Sequence, residues 1–178
     1  MTRKRFLFCL ASSLWLSPWL NAQGPTRKYD LFFGRWAAYY APWEDWRYFR
    51  AQGISESYLK PEAVGAAGEL GIMQLMPATV TSLHVANPRD PEASIQAGIH
   101  LDATLWHAWS DVKSLGDRRR LMFASYNAGY GNIQRAVRLA QSLAWDDVAV
   151  ALPRVTGKRY AAATINYVRG IHHIMGVD

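Results

Sequence analysis

Cysteine is nearly absent: the 178-residue chain has one, Cys9, inside an apolar stretch near its start. Without a second cysteine there is no internal disulfide framework, and a lone thiol at that place suits neither a Cys-based zinc site nor a nucleophile pair. Long apolar runs are also lacking. Phe6 to Leu20 is uncharged, but a bilayer-spanning helix needs about 20 apolar residues, and Pro18 interrupts the run. No stretch alternates apolar and polar residues convincingly, so a sheet protein is not expected. No Gly-x-Ser-x-Gly nucleophile turn is present, and Gly68 to Gly71 lacks the Lys and Ser/Thr of a phosphate loop.

A metal site is equally unsupported. His100 and His107 are two helical turns apart, about 10 Å, too far to share one ion, and His172 and His173 point different ways. No metal and no cofactor is expected. Arg118, Arg119 and Arg120 read as a solvated face, and no nucleic-acid partner is expected.

What the chain does have begins with a basic start, Arg3-Lys4-Arg5, followed by the short apolar run and the small-residue exit Asn21-Ala22. This is the pattern of a secretory signal peptide, with residues 1–22 removed and an uncleaved N-terminal anchor as the alternative. Its removal takes away three of the 20 Lys and Arg and none of the 14 Asp and Glu, lowering the net charge from +6 to +3. The expected location is the periplasm or the outside of the cell, with membrane contact only through the signal.

Residues 23–43 read as a linker followed by an aromatic helix in which Phe32, Trp36, Tyr39 and Tyr40 fit helical spacing. That face either packs on the domain or forms a sugar-stacking wall. Residues 44–178 read as one compact, mainly helical domain with little or no sheet. Pro42, Glu44 and Asp45 open a helix that carries Trp46, Phe49, Gly53 and Ile54 on one face and ends at Glu56 and Ser57. Residues 61–71 form a Gly/Ala-rich loop. Asp90 as N-cap with Pro91 after it starts a helix to about Trp109. Asp117 caps a helix that Asn127 and Gly129 break. Ile133 to Leu143 is amphipathic, Asp146 to Leu152 is short and stopped by Pro153, and Lys158 to Met175 is the last helix, with Tyr160, Ala163, Tyr167, Ile171 and Ile174 on one face and Gly176 beyond it.

One carboxylate is oddly placed. Glu56 ends an aromatic-rich helix just before the Gly/Ala-rich loop. Apolar surroundings disfavour the charged form of a carboxyl group and raise its pKa, which equips it to protonate a leaving oxygen near neutral pH. On its own, a Glu near a helix end is more commonly a solvated one.

Three blocks occur in order: Glu56-Ser57, then Gly71-Ile72-Met73-Gln74-Leu75-Met76-Pro77-Ala78-Thr79, then Ala124-Ser125-Tyr126-Asn127-Ala128-Gly129. Together they resemble the soluble lytic transglycosylase family, whose members have a lysozyme-like fold and cleave bacterial peptidoglycan. The resemblance runs from about Glu44 to Ile174. It implies that Glu56 is a single acid/base, protonating the oxygen of the β-1,4 bond between N-acetylmuramic acid and N-acetylglucosamine and then accepting the proton of the C6 hydroxyl that closes a 1,6-anhydro ring. Ser57, Met73, Gln74, Tyr126, Asn127 and Tyr167 are the implied substrate-binding residues, with the Tyr126 hydroxyl as the expected direct partner of Glu56. Helix-end cap for Ser57, core filler for Met73 and a backbone-bonded core position for Tyr126 are the alternatives. Glu62 and Glu69 are expected to be solvated.

The chain departs from the family pattern at Gly65, where members often carry Ser, and at Ala163, where Glu is usual. The implied partner is the glycan strand of peptidoglycan, handled by a monomer in wall turnover, insertion of an envelope secretion machine, or phage entry or release. A non-catalytic peptidoglycan-binding or assembly protein and a goose-type lysozyme hydrolase or chitinase on the same fold are the competing readings.

Overall fold

The computed structural model describes residues 25–177, so the signal region and Cys9 lie outside the described residues. Eight helices account for the described architecture: α1 (Asp30–Tyr40), α2 (Trp46–Ser57), α3 (Pro77–Ser82), α4 (Pro91–Ala108), α5 (Leu115–Ala128), α6 (Tyr130–Ala140), α7 (Trp145–Thr156) and α8 (Lys158–Met175). Pairing between extended segments among the described residues is limited to the isolated bridges Val64 to Leu70 and Leu70 to Leu75. The mainly helical expectation therefore holds.

Local chemistry sets the helix starts. Asp45 caps α2 by accepting from the Arg47 N–H at 3.0 Å, and Asp90 caps α4 by accepting from the Ala93 N–H at 2.8 Å, with Pro91 at the first helical position where no N–H is missed. The cap of α5 is Ser114, which accepts from the Asp117 N–H at 3.2 Å. Asp117, expected as that cap, instead lies in the first turn. There its charge still suits the helix dipole. Helix α7 runs through Pro153 to Thr156 rather than stopping before it, because a proline in the last turn forfeits only one helical hydrogen bond.

The core is formed by the inward stripes of these helices. Phe33, Phe49, Phe123, Ile95, Ile99, Leu121, Met122, Ile133 and Leu152 are fully buried. Each such side chain contributes roughly 1.5–3 kcal/mol by leaving water. On α1 the buried positions are Phe33 and Ala37, with Tyr29 just before the helix; Trp36 and Tyr40 flank this stripe and Tyr39 is 71% exposed. On α8 the buried stripe is Ala161, Thr164, Tyr167, Val168, Ile171 and His172; Tyr167 and Ile171 of the expected face are in it, and Ala163 and Ile174 point outward.

The three arginines at the start of α5 are not a uniformly solvated face. Arg118 lies 4.2 Å over the Trp106 ring and donates to the Trp106 carbonyl at 2.9 Å. Arg119 grips the buried Glu44 with two bonds, of 2.6 and 3.0 Å, and lies over Tyr48. These contacts tie α5 to α4 and to the entrance of α2.

Candidate active site

The C-terminus of α2 places Glu56. Tyr58 ends the helix in the left-handed conformation (φ 57°), and its N–H closes on the Gly53 and Ile54 carbonyls. The following loop then folds over the helix end. Leu70 and Leu75 exchange backbone bonds of 3.0 and 2.9 Å, and the Gly71 N–H donates to the Ala63 carbonyl at 3.0 Å. Gly71 is required here twice over. Its φ is +78°, and a Cβ would overlap the Pro88 carbonyl oxygen.

Glu56, Glu69, Gln74, Leu75, Met76, Thr79, Leu101, Tyr126 and Asn127 line a single cleft. The Tyr167 hydroxyl reaches the same carboxyl group from α8, donating to Glu56 Oε1 at 2.5 Å. Burial pushes the Glu56 carboxyl up to about 8; the Tyr167 bond acts in the opposite direction, and the nearby Glu69 charge adds to the rise. Glu56 is therefore largely protonated at neutral pH. The buried Tyr167 phenol is itself held well above its ordinary value, by burial first and then by the Glu56 charge, so it remains a donor.

The expected site residues separate into two groups. Gln74, Tyr126, Asn127 and Tyr167 do converge around Glu56. Gln74 (φ 47°) uses its Nε2 on the Gly71 and Ala63 carbonyls, at 2.9 and 3.3 Å, and so holds the loop it belongs to. Asn127 Oδ1 accepts from Thr164 at 2.8 Å, a contact that fixes the amide plane at the cleft wall.

Two expectations are corrected, and a third gains a residue. The Tyr126 hydroxyl donates to the Met73 carbonyl at 2.7 Å, and the tyrosine that donates to Glu56 is Tyr167. Met73 is fully buried and is core, not groove wall: its side chain fills the space left by Gly98, where a Cβ would lie 2.7 Å from Met73 Cγ. Ser57 donates to the Ile72 carbonyl at 2.8 Å and accepts the Lys60 N–H at 3.1 Å, so it closes the helix end against the loop.

One carboxyl expectation is overturned, at Glu69, and one carboxyl group, Asp102, escaped the sequence reading. Glu62 is exposed as expected, near Arg89 at 3.5 Å, but Glu69 is only 3% exposed and lies in the cleft. Asp102 is fully buried on α4. It accepts from Gln52 Nε2 at 3.4 Å, and burial followed by the Glu56 charge pushes its carboxyl well above the usual carboxylate range. Gln52 lies one turn before Glu56 on α2 and is likewise fully buried. A signal for Asp102 existed: it shares helical spacing with Ile95, Ile99, Leu105 and Trp106, a lone acid in an apolar stripe. Among the described residues, no group of His, Cys, Asp or Glu is arranged to hold a metal ion.

A helical domain that holds a protonated carboxyl group in a cleft is equipped to deliver a proton to a group bound there. Residues 37–148 match the family model described as the transglycosylase SLT domain, and the chain belongs to that family. It is 34% identical over 148 residues to the membrane-bound lytic murein transglycosylase F of Shewanella woodyi, covering 79% of this chain and 30% of that one. It is 35% identical over 134 residues to the protein of the same name from Vibrio campbellii, covering 71% of this chain and 25% of that one. The chain thus spans less than a third of the length of these relatives. Among solved structures, the 70 kDa soluble lytic transglycosylase of Escherichia coli superposes with a TM-score of 0.62 at 21% identity, over 83% of this chain and 24% of that one. The lytic transglycosylase Slt of Pseudomonas aeruginosa gives a TM-score of 0.61 at 18% identity, over 84% and 25% of the two chains. At these identities the likeness establishes the fold, which is lysozyme-like.

Proposed function

We propose that this domain is a peptidoglycan lytic transglycosylase, cleaving the β-1,4 bond between N-acetylmuramic acid and N-acetylglucosamine with formation of a 1,6-anhydromuramic end. The observation that carries the reading is Glu56: a carboxyl group whose proton is held to about pH 8 by burial, aimed by the Tyr167 hydroxyl, in a cleft lined by amides and a phenol.

In this reaction Glu56 gives its proton to the glycosidic oxygen as the bond to the anomeric carbon breaks. The 2-acetamido carbonyl of the substrate covers the electron-poor carbon. Glu56, now a carboxylate, takes the proton of the muramic C6 hydroxyl, whose oxygen bonds to that carbon and closes the ring. The acid becomes the base within one cycle, and no water is consumed. Asn127 and Gln74 are the groups we assign to sugar hydroxyls and amides, because an amide both donates and accepts. The murein-directed names of the relatives support the substrate class.

Residues 44–178 are proposed as the catalytic domain, exported by a leader spanning 1–22 and acting on glycan strands in the envelope as a monomer. No described helix is long and apolar enough to cross a membrane. One observation favours a second reading, a water-using hydrolase: Glu69 puts another carboxylate in the cleft, and hydrolysis on such folds employs two.

Replacement of Glu56 tests the assignment of the acid. Glu56→Gln is nearly isosteric and cannot deliver a proton, so murein turnover is expected to fall by about 10²-fold or more while murein binding persists. Retention of more than about a tenth of the activity would place the acid elsewhere.

A further inference from the structure

Glu69 sits in the cleft by construction. Its backbone carbonyl accepts the Gly65 N–H at 2.8 Å, and its Oε2 accepts the Ala67 N–H at 2.8 Å. The space it occupies exists only because residue 65 is glycine. A Cβ there would overlap the Glu69 carboxylate, approaching its Cδ to 2.7 Å and Gln74 Oε1 to 2.9 Å. Gly65 and Glu69 are thus a matched pair, and the bare backbone at 65 is the counterpart of a carboxylate four residues later.

We propose that Glu69 is the electrostatic partner of Glu56: its carboxylate keeps the proton on Glu56 before reaction and stabilises the positive charge that develops at the anomeric carbon as the leaving oxygen takes that proton. The inference rests on the reading of Glu56 as acid and then base. In the first step the leaving oxygen receives the Glu56 proton and the electron pair of the breaking bond, and the carbon left electron-poor faces a fixed negative charge. In the second step Glu56 and Glu69 are two carboxylates in one cleft. Their repulsion makes Glu56 the stronger base toward the C6 hydroxyl.

Other groups around Glu56 do not supply this charge. Tyr167, from α8, is a neutral donor. Tyr126, from α5, spends its hydroxyl proton on the Met73 carbonyl. Asp102, from α4, has its carboxyl pushed well above the usual carboxylate range by burial, which disfavours its charge. Glu69 is the charge that acts on Glu56 from the loop side.

Glu69→Gln is the discriminating variant. The amide has the same size, and its oxygen still accepts the Ala67 N–H, so the loop anchor is preserved. The Glu56 titration, followed by carboxyl-carbon NMR in the substrate-free protein, is expected to move down from about 8. Turnover of murein is expected to fall about 10-fold or more. Gly65→Ala, which displaces the Glu69 carboxylate without altering it chemically, is expected to shift the titration in the same direction. Gly65→Ala/Glu69→Ala relieves the overlap and is expected to recover the thermal midpoint lost in Gly65→Ala. An unmoved Glu56 titration in Glu69→Gln would overturn the proposal and leave Glu69 as a loop anchor. So would turnover equal to that of the unmodified protein. If the unmodified protein does not cleave murein at all, the functional reading fails, and the titration still decides the pairing.

Discussion

The Tyr167 hydroxyl and the Glu56 carboxyl group meet at 2.5 Å although 111 positions separate them in the chain. The contact joins the last helix to the end of the second, and α2 packs directly on α8. Removing only the hydroxyl, as in Tyr167→Phe, takes away a bond that favours the charged form of Glu56. The Glu56 titration is then expected to rise above about 8, and turnover to fall about 10-fold, the scale of a hydrogen bond to a charged group of roughly 1.5 kcal/mol. Tyr126→Phe, which loses the bond to the Met73 carbonyl, is expected to cost about 1 kcal/mol of stability. NMR titration of the first variant and denaturant titration of the second check both.

A buried acid that keeps its proton weakens the fold as the solution becomes alkaline. The Glu56 carboxyl rises from 4.5 to about 8 on folding. Between these values the folded state binds more protons than the unfolded one, so stability falls with rising pH by at most about 1.4 kcal/mol per unit. Partial solvent access reduces that figure. Glu56→Gln removes the group, so its thermal midpoint is expected to exceed that of the unmodified protein by an amount that grows from pH 5 to pH 8. A constant difference would show that Glu56 is an ordinary carboxylate.

Asp102 makes a separate prediction. Its folded-state value is also raised, so it too destabilises the fold progressively above the ordinary Asp range of about 4. Gln52 Oε1 and Asp102 Oδ2 are both buried without a hydrogen-bond partner, and a proton on Oδ2 gives that corner of the pair a donor. Asp102→Asn supplies an N–H in its place. Denaturant titrations are expected to show this variant equal to the unmodified protein near pH 4 and increasingly more stable above it. Stability that falls at every pH would mean that Asp102 is needed as a charge.

Export makes the fourth prediction. N-terminal sequencing of the protein recovered from the envelope is expected to start near Gln23. A start at Met1 or Thr2 in the membrane fraction would identify an uncleaved anchor.

Much of the helical scaffold was legible because its signals are local. Asp90-Pro91 starts α4, and Gly176 follows α8, as the cap rules require. The start of α5 was misplaced by one turn because Ser114 and Asp117 both suit a helix start, and only the side-chain bond decides between them. The gathering of Gln74, Tyr126, Asn127 and Tyr167 at Glu56 was legible through ordered motifs. Which tyrosine holds the acid was not: Tyr126 and Tyr167 both reach the site, and their hydroxyl directions depend on how α5 and α8 cross the loop. Glu69 was expected in solvent and Asp102 was missed because a carboxyl group in a Gly/Ala-rich loop or mid-helix is normally solvated; distant packing buries Asp102, and the bare backbone at Gly65 makes room for Glu69.

In the proposed reaction Glu56 acts as both acid and base in a ring-closing cleavage that spends no water. Mass analysis of purified murein digested by the protein distinguishes this from hydrolysis. The expected main products are 1,6-anhydromuropeptides, each lighter by one water than its hydrolysed counterpart, and they are expected to be lost in Glu56→Gln. Reducing-end muropeptides as the main product would contradict it and would make the domain a hydrolase.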